Sequence, residues 1–535
     1  CPCHAGWYGV DCSLSAASLL LPGSGPADEE GGGKRHAGGR ESSGEKAQAE
    51  EGGRTLPQPR STLEFEGNKR RPRIFVYELP EVFNSRVLQF RRRGICATRE
   101  FTERGEPSFT EWQYSLDFML LEWLLLSDYR TADPEEADYF FVPFLTSCYT
   151  FLGDDHPRHR LVHGCRTIAT AQASKLVVKH LRESYPFWDR SGGADHLWVW
   201  PWDEGACPAP AAIRASIMIH HWGGRYTEPR TAYGPDNWLR PDLPWHPFEV
   251  GPFGMAFQDL PVSYGQQHER FVSRGMSWQG HYEERGSQDC HDPDKDIVMP
   301  PPYYGWQGSQ GSLYRRWLAG RLRDASYNRA TLFYFAGDLG SKAAAASGQQ
   351  GGRGEPHYSR GLRQRVAAMY MNSTWRERGI HVYHGRRAKY LEEMAHSVFC
   401  GALPGDGWSN AYVWAILHGC IPVIIMDDVD LAWSGVLNYT EFSLTLSESH
   451  ISQLYDVLRA VPEARVKEMQ ANLLKIWPRF TFVRYRREIT GRMEELGFNT
   501  HLMRGSQAQH PQGMGDDAFD TLMEVLFSKL QSRQT

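Results

Sequence analysis

A glycine-rich turn in the C-terminal half has the residue types and spacing to bind an anion. An apolar run, residues 397–403, leads into a turn at 404–407, and apolar residues then recur at helical spacing as far as Cys420. Residues 421–426 add a second apolar run, so the stretch is predicted to be one βαβ unit. Ligands bind at such turns because they lie at the C-terminal ends of parallel strands, and the N–H groups of a helix start favour phosphate.

This turn supplies the first candidate binding residues. We predict that a phosphate-bearing ligand contacts Gly405, Asp406, Gly407, Trp408 and Ser409, with Ser409 as the helix N-cap. The glycine spacing matches neither the dinucleotide fingerprint nor the P-loop, so it names no cofactor. The alternative is an ordinary turn, because βα turns commonly use glycine whatever they bind.

A cationic segment precedes the turn along the chain. A predicted strand at 332–335 ends in Ala336-Gly337-Asp338, and a predicted helix at 358–371 carries Arg360, Arg363 and Arg365. The planar fork of an arginine side chain matches the oxygens of a diphosphate. A solvated helix face is an equally good interpretation of these three residues from the sequence alone.

Acidic and histidine side chains follow predicted strands in the N-terminal half. Asp203 and Glu204 come after a strand at 196–200, and His221 follows a strand at 216–219. Functional residues concentrate in such loops, so these three are candidates for catalysis. A capping or buried structural role is the alternative for each of them.

The elements that position these residues form two α/β series. Strands alternate with helices from residue 73 to about 300 and again from about 331, which predicts parallel sheets and paired Rossmann-like domains that face a cleft. The stretch 225–290 is aromatic and rich in glycine and proline, and it is predicted to be an insertion over the cleft. The predicted organisation is a cysteine-rich module at 1–13, a disordered linker at 14–72, an N-terminal domain at 73–310, a C-terminal domain at 311–500 and a tail with a helix at 501–535.

Composition excludes some function classes and favours others. The 535 residues carry a net charge of −5, which gives no basic footprint for nucleic acid. No apolar run is long enough to span a membrane. The 18 Trp, 24 Tyr and 25 Phe residues are typical of sugar-handling proteins, although most of them are expected in the core. The sequons at Asn372 and Asn438 are predicted glycosylation sites and suit the secretory route.

The ordered run of motifs IFVYELP, DPEEADYFFVPF, DHLWVWPWDEGAC, KDIVMPP, LFYFAGDLG, YSRGLRQRV and SVFCGALPGDGWS resembles the exostosin-like glycosyltransferases. The similarity covers about residues 73–445 and is closest to algal and plant members. The N-terminal residues 1–13 resemble the second half of an EGF-like domain, which implies a disulfide between Cys3 and Cys12. A dense cysteine run of this kind indicates an oxidising compartment.

The resemblance implies the chemistry as well as the fold. It implies the GT-B fold, and an inverting transfer from a nucleotide sugar, usually UDP-linked, to a glycan or polysaccharide, with no metal or other cofactor required. The nucleotide-sugar site would include Gly337, Arg360, Arg363 and the turn, and the interval after the AGD strand favours Arg363 and Arg360 over Arg365. A DxD pattern at Asp428–Asp430 resembles metal sites of other transferases, yet helix-start acidic residues explain it as well. The family also implies a type II Golgi membrane protein, with its anchor missing from this sequence.

Three positions depart from the family pattern. Ala411 and Trp414 stand where an arginine and an acidic residue are expected, and Trp202 stands where a histidine precedes the aspartate. The acidic residue would be expected to hold the nucleotide ribose. A catalytically degenerate member that serves as a carbohydrate-binding or scaffold protein is therefore the alternative hypothesis, and partnership with a second transferase in a hetero-oligomer is a third.

Overall fold

The computed structural model describes most of the chain from residue 69 onward. The described residues are 7–8, 14–15, 65–66, 69–85, 87–90, 98–110, 112–151, 163–225, 290–302, 311–320, 329–339, 358–385, 387–405, 407–504 and 515–534. The predicted Cys3–Cys12 bridge, most of the predicted linker and most of the predicted insertion lie outside them. Within the described part, no helix has the length and apolar character needed to cross a membrane.

The first sheet has six parallel strands, built from the N-terminal half of the chain. Their order in the sheet is Ile297–Val298, Ile217–His220, His196–Trp200, Tyr139–Phe141, Ile74–Val76 and Arg130–Thr131. The central strands are buried along their whole length, as expected for a parallel sheet covered on both faces. The helices described in this half are Leu116–Leu126, Thr146–Phe151, His163–Ser184 and Phe187–Ser191.

The second sheet has five parallel strands and comes from the C-terminal half. The strand order is Ile380–His384, Thr331–Gly337, Ser397–Ala402, Ile421–Ile424 and Leu444–Thr445. The helices around it are Leu313–Leu318, Leu362–Tyr370, Ser373–Glu377, Tyr390–Ala395, Ala411–Leu417, Leu454–Ala460 and Glu463–Ile476. The prediction of two α/β series with parallel sheets is confirmed.

The last part of the chain returns to the first sheet. The hydroxyl of Tyr139 donates a hydrogen bond to the carbonyl of Leu526, 2.8 Å away, in the helix Ala518–Gln534. In the helix Val483–Glu495, Tyr485 donates to the carboxylate of Glu122 at 2.6 Å. The C-terminal helices therefore pack on the N-terminal half of the molecule, an arrangement that the predicted tail did not include. A short helix, His501–Arg504, lies between them.

Short antiparallel pairs complete the strands. They are Trp7–Tyr8 with Leu14–Ser15, Phe65–Glu66 with Lys69–Arg70, Arg99–Phe101 with Pro107–Phe109, and Gly223–Gly224 with Val429–Asp430. The last pair joins the two halves through their backbones, and Arg225 N–H extends it by donating to the carbonyl of Asp428 at 2.8 Å.

Among the described residues, two disulfides stabilise the halves separately. Cys400–Cys420 links the strand Ser397–Ala402 to the residue that precedes its neighbour in the second sheet, and Cys207–Cys290 ties the loop after the strand His196–Trp200 to a residue 83 positions later. Loops closed over these separations stabilise a fold by about 3 to 5 kcal/mol each in the chain-entropy picture. The prediction of disulfide bonds is confirmed in general, but at cysteines that the sequence analysis did not pair.

Candidate functional site

The glycine turn connects the strand Ser397–Ala402 to the helix Ala411–Leu417. The N–H of Gly405 donates to the carbonyl of Gly407 at 3.1 Å, and the hydroxyl of Ser359 donates to the carbonyl of Pro404 at 2.7 Å. Gly407 has φ near +121°, a region that side-chain-bearing residues rarely adopt. The turn is therefore held in one conformation by its own backbone and by Ser359. Asp406 lies outside the described residues.

The start of the following helix differs by one residue from the prediction. The N-cap is Asn410, not Ser409, and the Asn410 side chain makes no capping bond. The hydroxyl of Ser409 instead accepts the N–H of Ala411 at 3.2 Å, so it satisfies one donor of the first turn. With seven residues, this helix is short, and the turn and its neighbours matter more for anion binding than the helix dipole does.

Arg363 lies beside the turn, at the edge where the strands of the second sheet end. Its Nη1 donates to the carbonyl of Asp338 at 3.1 Å and its Nη2 lies 3.4 Å from the carbonyl of Leu403. A β-carbon at Gly337 would lie only 3.2 Å from Nη1, so the glycine makes room for the guanidinium. Gly337, Arg363 and Leu403, the residue before the turn, therefore lie close together in the structure.

Arg360 has a different environment from Arg363. Its Nη2 pairs with the carboxylate of Glu448, which also accepts the N–H of Asp427 at 3.0 Å. The Asp427 carboxylate in turn accepts the hydroxyl of Ser447 at 3.1 Å. Arg360 and Asp427 therefore tie the second sheet to the 3-10 helix Glu448–Gln453. Asp430, the second carboxylate of the DxD pattern, faces the first half instead, because it lies 3.4 Å from a nitrogen of His291.

Asp203 meets the glycine turn directly. The N–H of Trp408 donates to the carbonyl of Asp203 at 2.9 Å, and a β-carbon at Gly407 would lie 1.9 Å from the same oxygen. The Asp203 carboxylate accepts the hydroxyl of Tyr114 at 2.6 Å. The backbone of the first half is therefore in contact with the backbone of the turn, and the structure brings candidates from both halves together.

His221 is buried next to the same turn. Its Nδ1 lies 3.0 Å from the carbonyl of Met299, and its ring centroid lies 5.3 Å from that of Trp408. Burial lowers the pKa of His221 to about 4, although the hydrogen bond to Met299 acts in the opposite direction. The imidazole is therefore neutral at neutral pH. Glu204, the third catalytic candidate, is also buried, with 2% of its surface exposed.

The three positions that depart from the family pattern lie in two places. Trp202 stacks on Tyr114, with ring centroids 6.0 Å apart, and Tyr114 meets Trp408 edge-on at 5.7 Å. Trp202 is therefore one of three aromatic side chains, with Tyr114 and Trp408, that pack together where the two halves meet. Trp414 packs against Tyr390 at 5.4 Å, within a buried cluster of the second half, and Ala411 is buried at the helix start. The Trp414 indole is thereby held by helix packing.

One cluster has the spacing of a metal site. Ligand atoms of His220, His291 and Asp296 lie within 4.8 Å of one another. However, His220 Nδ1 is 3.3 Å from the N–H of Ala206, which makes it an acceptor, so the Nε2 proton points to His291 Nδ1 at 3.0 Å. Asp296 accepts from the Lys295 ammonium at 2.6 Å. A metal would have to displace these bonds, and the hydrogen bonds alone account for the cluster.

The two sequons lie at exposed asparagines. Asn372 Oδ1 accepts the N–H of Trp375 at 3.1 Å and caps the helix Ser373–Glu377, which leaves its amide nitrogen for a glycan. Asn438 Oδ1 accepts the Thr440 hydroxyl at 2.7 Å. Their glycosylation stays a prediction.

Sequence reasoning missed Tyr114 and Met299, which position Asp203 and His221. Tyr114 lies 89 positions from Asp203, and Met299 lies 78 positions from His221. Met299 stands at the end of the KDIVM motif, just before three prolines. Its position at a predicted strand end is the feature of the sequence that could have identified it. No local sequence pattern pointed to Tyr114 as a site residue.

Comparisons with known proteins bear on the family. Residues 68–461 match the family described as Exostosin GT47 domain. A probable glucuronoxylan glucuronosyltransferase of Arabidopsis thaliana is 26% identical over 402 residues, which cover 75% of this chain and 66% of that protein. A probable beta-1,4-xylosyltransferase of the same plant is 24% identical over 397 residues, 73% of this chain and 72% of that protein. The chain spans about two thirds of the first relative and somewhat more of the second. These matches confirm the resemblance seen in the motif run.

A search of solved structures adds little. Spinosyn Forosaminyltransferase SpnP is similar over 80% of this chain and 99% of that chain, at 11% identity and a TM-score of 0.25. That similarity is too weak to bear on the assignment of the fold or of the site.

Proposed function

Because this chain belongs to the exostosin GT47 family of glycosyltransferases, we propose that it is an inverting enzyme with the GT-B fold. It transfers a sugar from a UDP-sugar to a glycan or polysaccharide acceptor, with no metal or other cofactor required. The first substrates to test follow from the names of the relatives. The donors are UDP-glucuronate and UDP-xylose, and the acceptor is a xylan fragment.

One observation carries this proposal, and it is the contact between the glycine turn and Asp203. The turn and Arg363 are the parts of the second half that suit a diphosphate, since a guanidinium and a side-chain-free backbone can both approach its oxygens. The bond from Trp408 N–H to the Asp203 carbonyl brings the first half to that turn. A sugar on the diphosphate would therefore lie where side chains of the first half can deliver an acceptor.

The role of Arg363 is to stabilise charge on the leaving diphosphate. Arg363 is 7% exposed and its guanidinium is oriented by two strand-end carbonyls, so little ordering remains to be done when the donor binds. Arg360 contributes less in this proposal because Glu448 already neutralises it.

The test is transfer by the purified protein and by two arginine variants. The wild type should transfer sugar from one of the two donors to xylo-oligosaccharides, and Arg363→Ala should lower the rate by at least about 100-fold. Arg365→Ala is the matched control, because Arg365 is exposed on the same helix and should keep the wild-type rate. Absence of transfer and of UDP binding across a wide donor panel would overturn the proposal.

A scaffold without activity is the second candidate. Trp414, Ala411 and Trp202 stand where polar groups are expected, and the two indoles are held in packed aromatic clusters. Calorimetry with UDP separates the two candidates. Micromolar binding favours the enzyme, whereas a folded protein that binds xylan fragments and no UDP is a scaffold.

The proposed compartment is the lumenal face of the Golgi, with type II membrane attachment through an anchor outside this sequence. Two buried disulfides support an oxidising compartment, and both sequons are exposed. Fractionation of the tagged full-length protein, with enzymatic removal of N-glycans, tests this placement. Co-purification from that fraction tests a hetero-oligomer with another transferase.

A further inference from the structure

Within the described part of the chain, one ring nitrogen of His221 has a hydrogen-bond partner and the other has none. Nδ1 lies 3.0 Å from the Met299 carbonyl. Nε2 is buried and has no hydrogen-bond partner among the residues that the structure describes. A buried polar atom without a partner is uncommon in a folded protein and calls for an explanation.

The Met299 carbonyl determines the tautomer of His221. A carbonyl oxygen can only accept, so Nδ1 must carry the proton and donate it. In a neutral imidazole the other nitrogen then has a free lone pair. His221 is therefore oriented by one backbone group so that Nε2 is the basic atom, as in catalytic histidines whose second nitrogen is held by a neighbour.

His221 also lies in the right place for such a role. Its ring contacts Trp408, which is part of the turn that we assign to the diphosphate. Asp203 lies on the same side, but its carboxylate accepts the Tyr114 hydroxyl and its carbonyl holds Trp408. Those bonds make Asp203 a positioning residue for the turn, and they leave His221 as the better placed base.

We infer that Nε2 of His221 is the general base that takes the proton of the acceptor sugar hydroxyl. This inference rests on the proposed function. The acceptor oxygen attacks the anomeric carbon and forms a new C–O bond, while its proton passes to Nε2. The bond from the anomeric carbon to the diphosphate oxygen breaks on the opposite face, and its electron pair leaves with the nucleoside diphosphate beside Arg363. The configuration is inverted, and the imidazolium later returns its proton to water.

The burial of His221 has a consequence for the order of events. Only 2% of His221 is exposed, and Trp408 covers part of its ring. Because Nε2 is buried, an acceptor hydroxyl reaches it only after a local rearrangement, and the neighbouring Trp408 belongs to the donor-binding turn. Until then water is kept from the base, which limits hydrolysis of the donor. Burial also keeps the imidazole neutral, because it lowers the pKa to about 4.

The test uses a variant that keeps the hydrogen bond to Met299 and loses the base. In His221→Asn the side-chain amide can still donate to the Met299 carbonyl, but nothing replaces Nε2. Transfer should fall by about 100- to 10,000-fold, while the Kd for UDP stays within about threefold of the wild type. In His221→Ala, added imidazole should restore part of the rate, and it should not do so in His221→Asn.

The controls separate this inference from the proposed function. If the wild-type protein transfers no sugar, the proposed function fails. That outcome is visible without the His221 variants. If wild-type protein transfers sugar and folded His221→Asn, checked by thermal unfolding, stays within about tenfold of its rate, the base assignment is overturned. It is equally overturned if Glu204→Gln loses transfer and imidazole rescue of His221→Ala fails.

Discussion

The two sides of the candidate site are built in different ways. On the C-terminal side, the turn and Arg363 interact mainly with backbone groups, the carbonyls of Asp338 and Leu403 among them. On the N-terminal side, groups much farther apart in the chain meet, since His221 depends on the carbonyl of Met299, 78 positions away, and Asp203 depends on the hydroxyl of Tyr114, 89 positions away. Binding of an anion can thus be built from one local βαβ motif, whereas the proposed proton transfer needs residues assembled by the whole first sheet.

This difference predicts how each side responds to substitution. Changes on the C-terminal side should alter donor affinity first. Changes on the N-terminal side should alter the transfer rate while donor affinity stays close to that of the wild type. The following predictions test this division, and the first addresses the point where the two sides touch.

The largest effect is expected at Gly407. In Gly407→Ala the new β-carbon would lie 1.9 Å from the Asp203 carbonyl, at a φ of +121° that alanine rarely adopts. The turn must then move away from the first half, which should lower stability by about 2 to 4 kcal/mol and reduce transfer by more than about 100-fold. Thermal unfolding and transfer assays measure both effects.

Gly435→Ala is the matched control for Gly407→Ala, since a β-carbon there meets nothing within 4 Å. It should leave both stability and transfer near the wild-type values. Normal transfer by Gly407→Ala would show that contact between the two sides is not needed for the reaction.

An intermediate effect is expected on acid stability through His221. Its folded pKa is about 4 and its ordinary value is 6.5, so the unfolded chain binds a proton that the folded chain does not. The stabilising contribution is complete above pH 6.5 and is lost as the pH falls through 4. Its full size is about 3 kcal/mol, from 1.36 kcal/mol per pH unit.

His221→Asn lacks this titration, so wild-type protein should lose up to about 3 kcal/mol more than the variant between pH 7 and pH 4. Urea unfolding at several pH values measures the difference. Buried carboxylates such as Asp117 and Glu488, whose pKa values burial raises, act in the opposite direction in both proteins and cancel. Equal acid sensitivity in the two proteins would mean that His221 is not buried as a neutral group.

The smallest effect is expected at Arg360. Arg360→Gln removes an ion pair whose side chains are 15% and 18% exposed, and Glu448 keeps its bond from Asp427 N–H. Stability should fall by about 1 kcal/mol or less, and the Kd for UDP should change by less than about threefold in calorimetry. A loss as large as that in Arg363→Ala would place both arginines on the diphosphate and weaken the distinction drawn between them.

Local patterns predicted the elements well and the long-range contacts poorly. The strands His196–Trp200 and Ile217–His220 were predicted within a residue at each end, because aromatic and β-branched runs specify buried strands. The N-cap was placed one residue early, since Ser409 and Asn410 are both good caps. The pairing of Cys207 with Cys290 depends on the folded path of the chain, so spacing alone could not reveal it.

The candidate site shows the same limit. The glycine turn and Arg363 could be selected as candidates from local sequence patterns, and their role in binding stays a prediction. His221 was one candidate among three, and it is distinguished only in the folded structure, by the Met299 carbonyl at Nδ1 and by a buried Nε2 without a hydrogen-bond partner among the described residues. The return of the helix Ala518–Gln534 to the first sheet was not predicted either, because an amphipathic pattern does not say which surface it covers.

The pairing of Gly223–Gly224 with Val429–Asp430 has a consequence for divergence between relatives. These bonds, and the one from Arg225 N–H to Asp428, use main-chain atoms that every amino acid except proline possesses. Mutations can therefore change the side chains around this seam while the register between the two lobes persists, except at Gly223, where a β-carbon would collide with the backbone of Asp430. Drift in substrate preference can then accumulate on either lobe without a compensating change on the other.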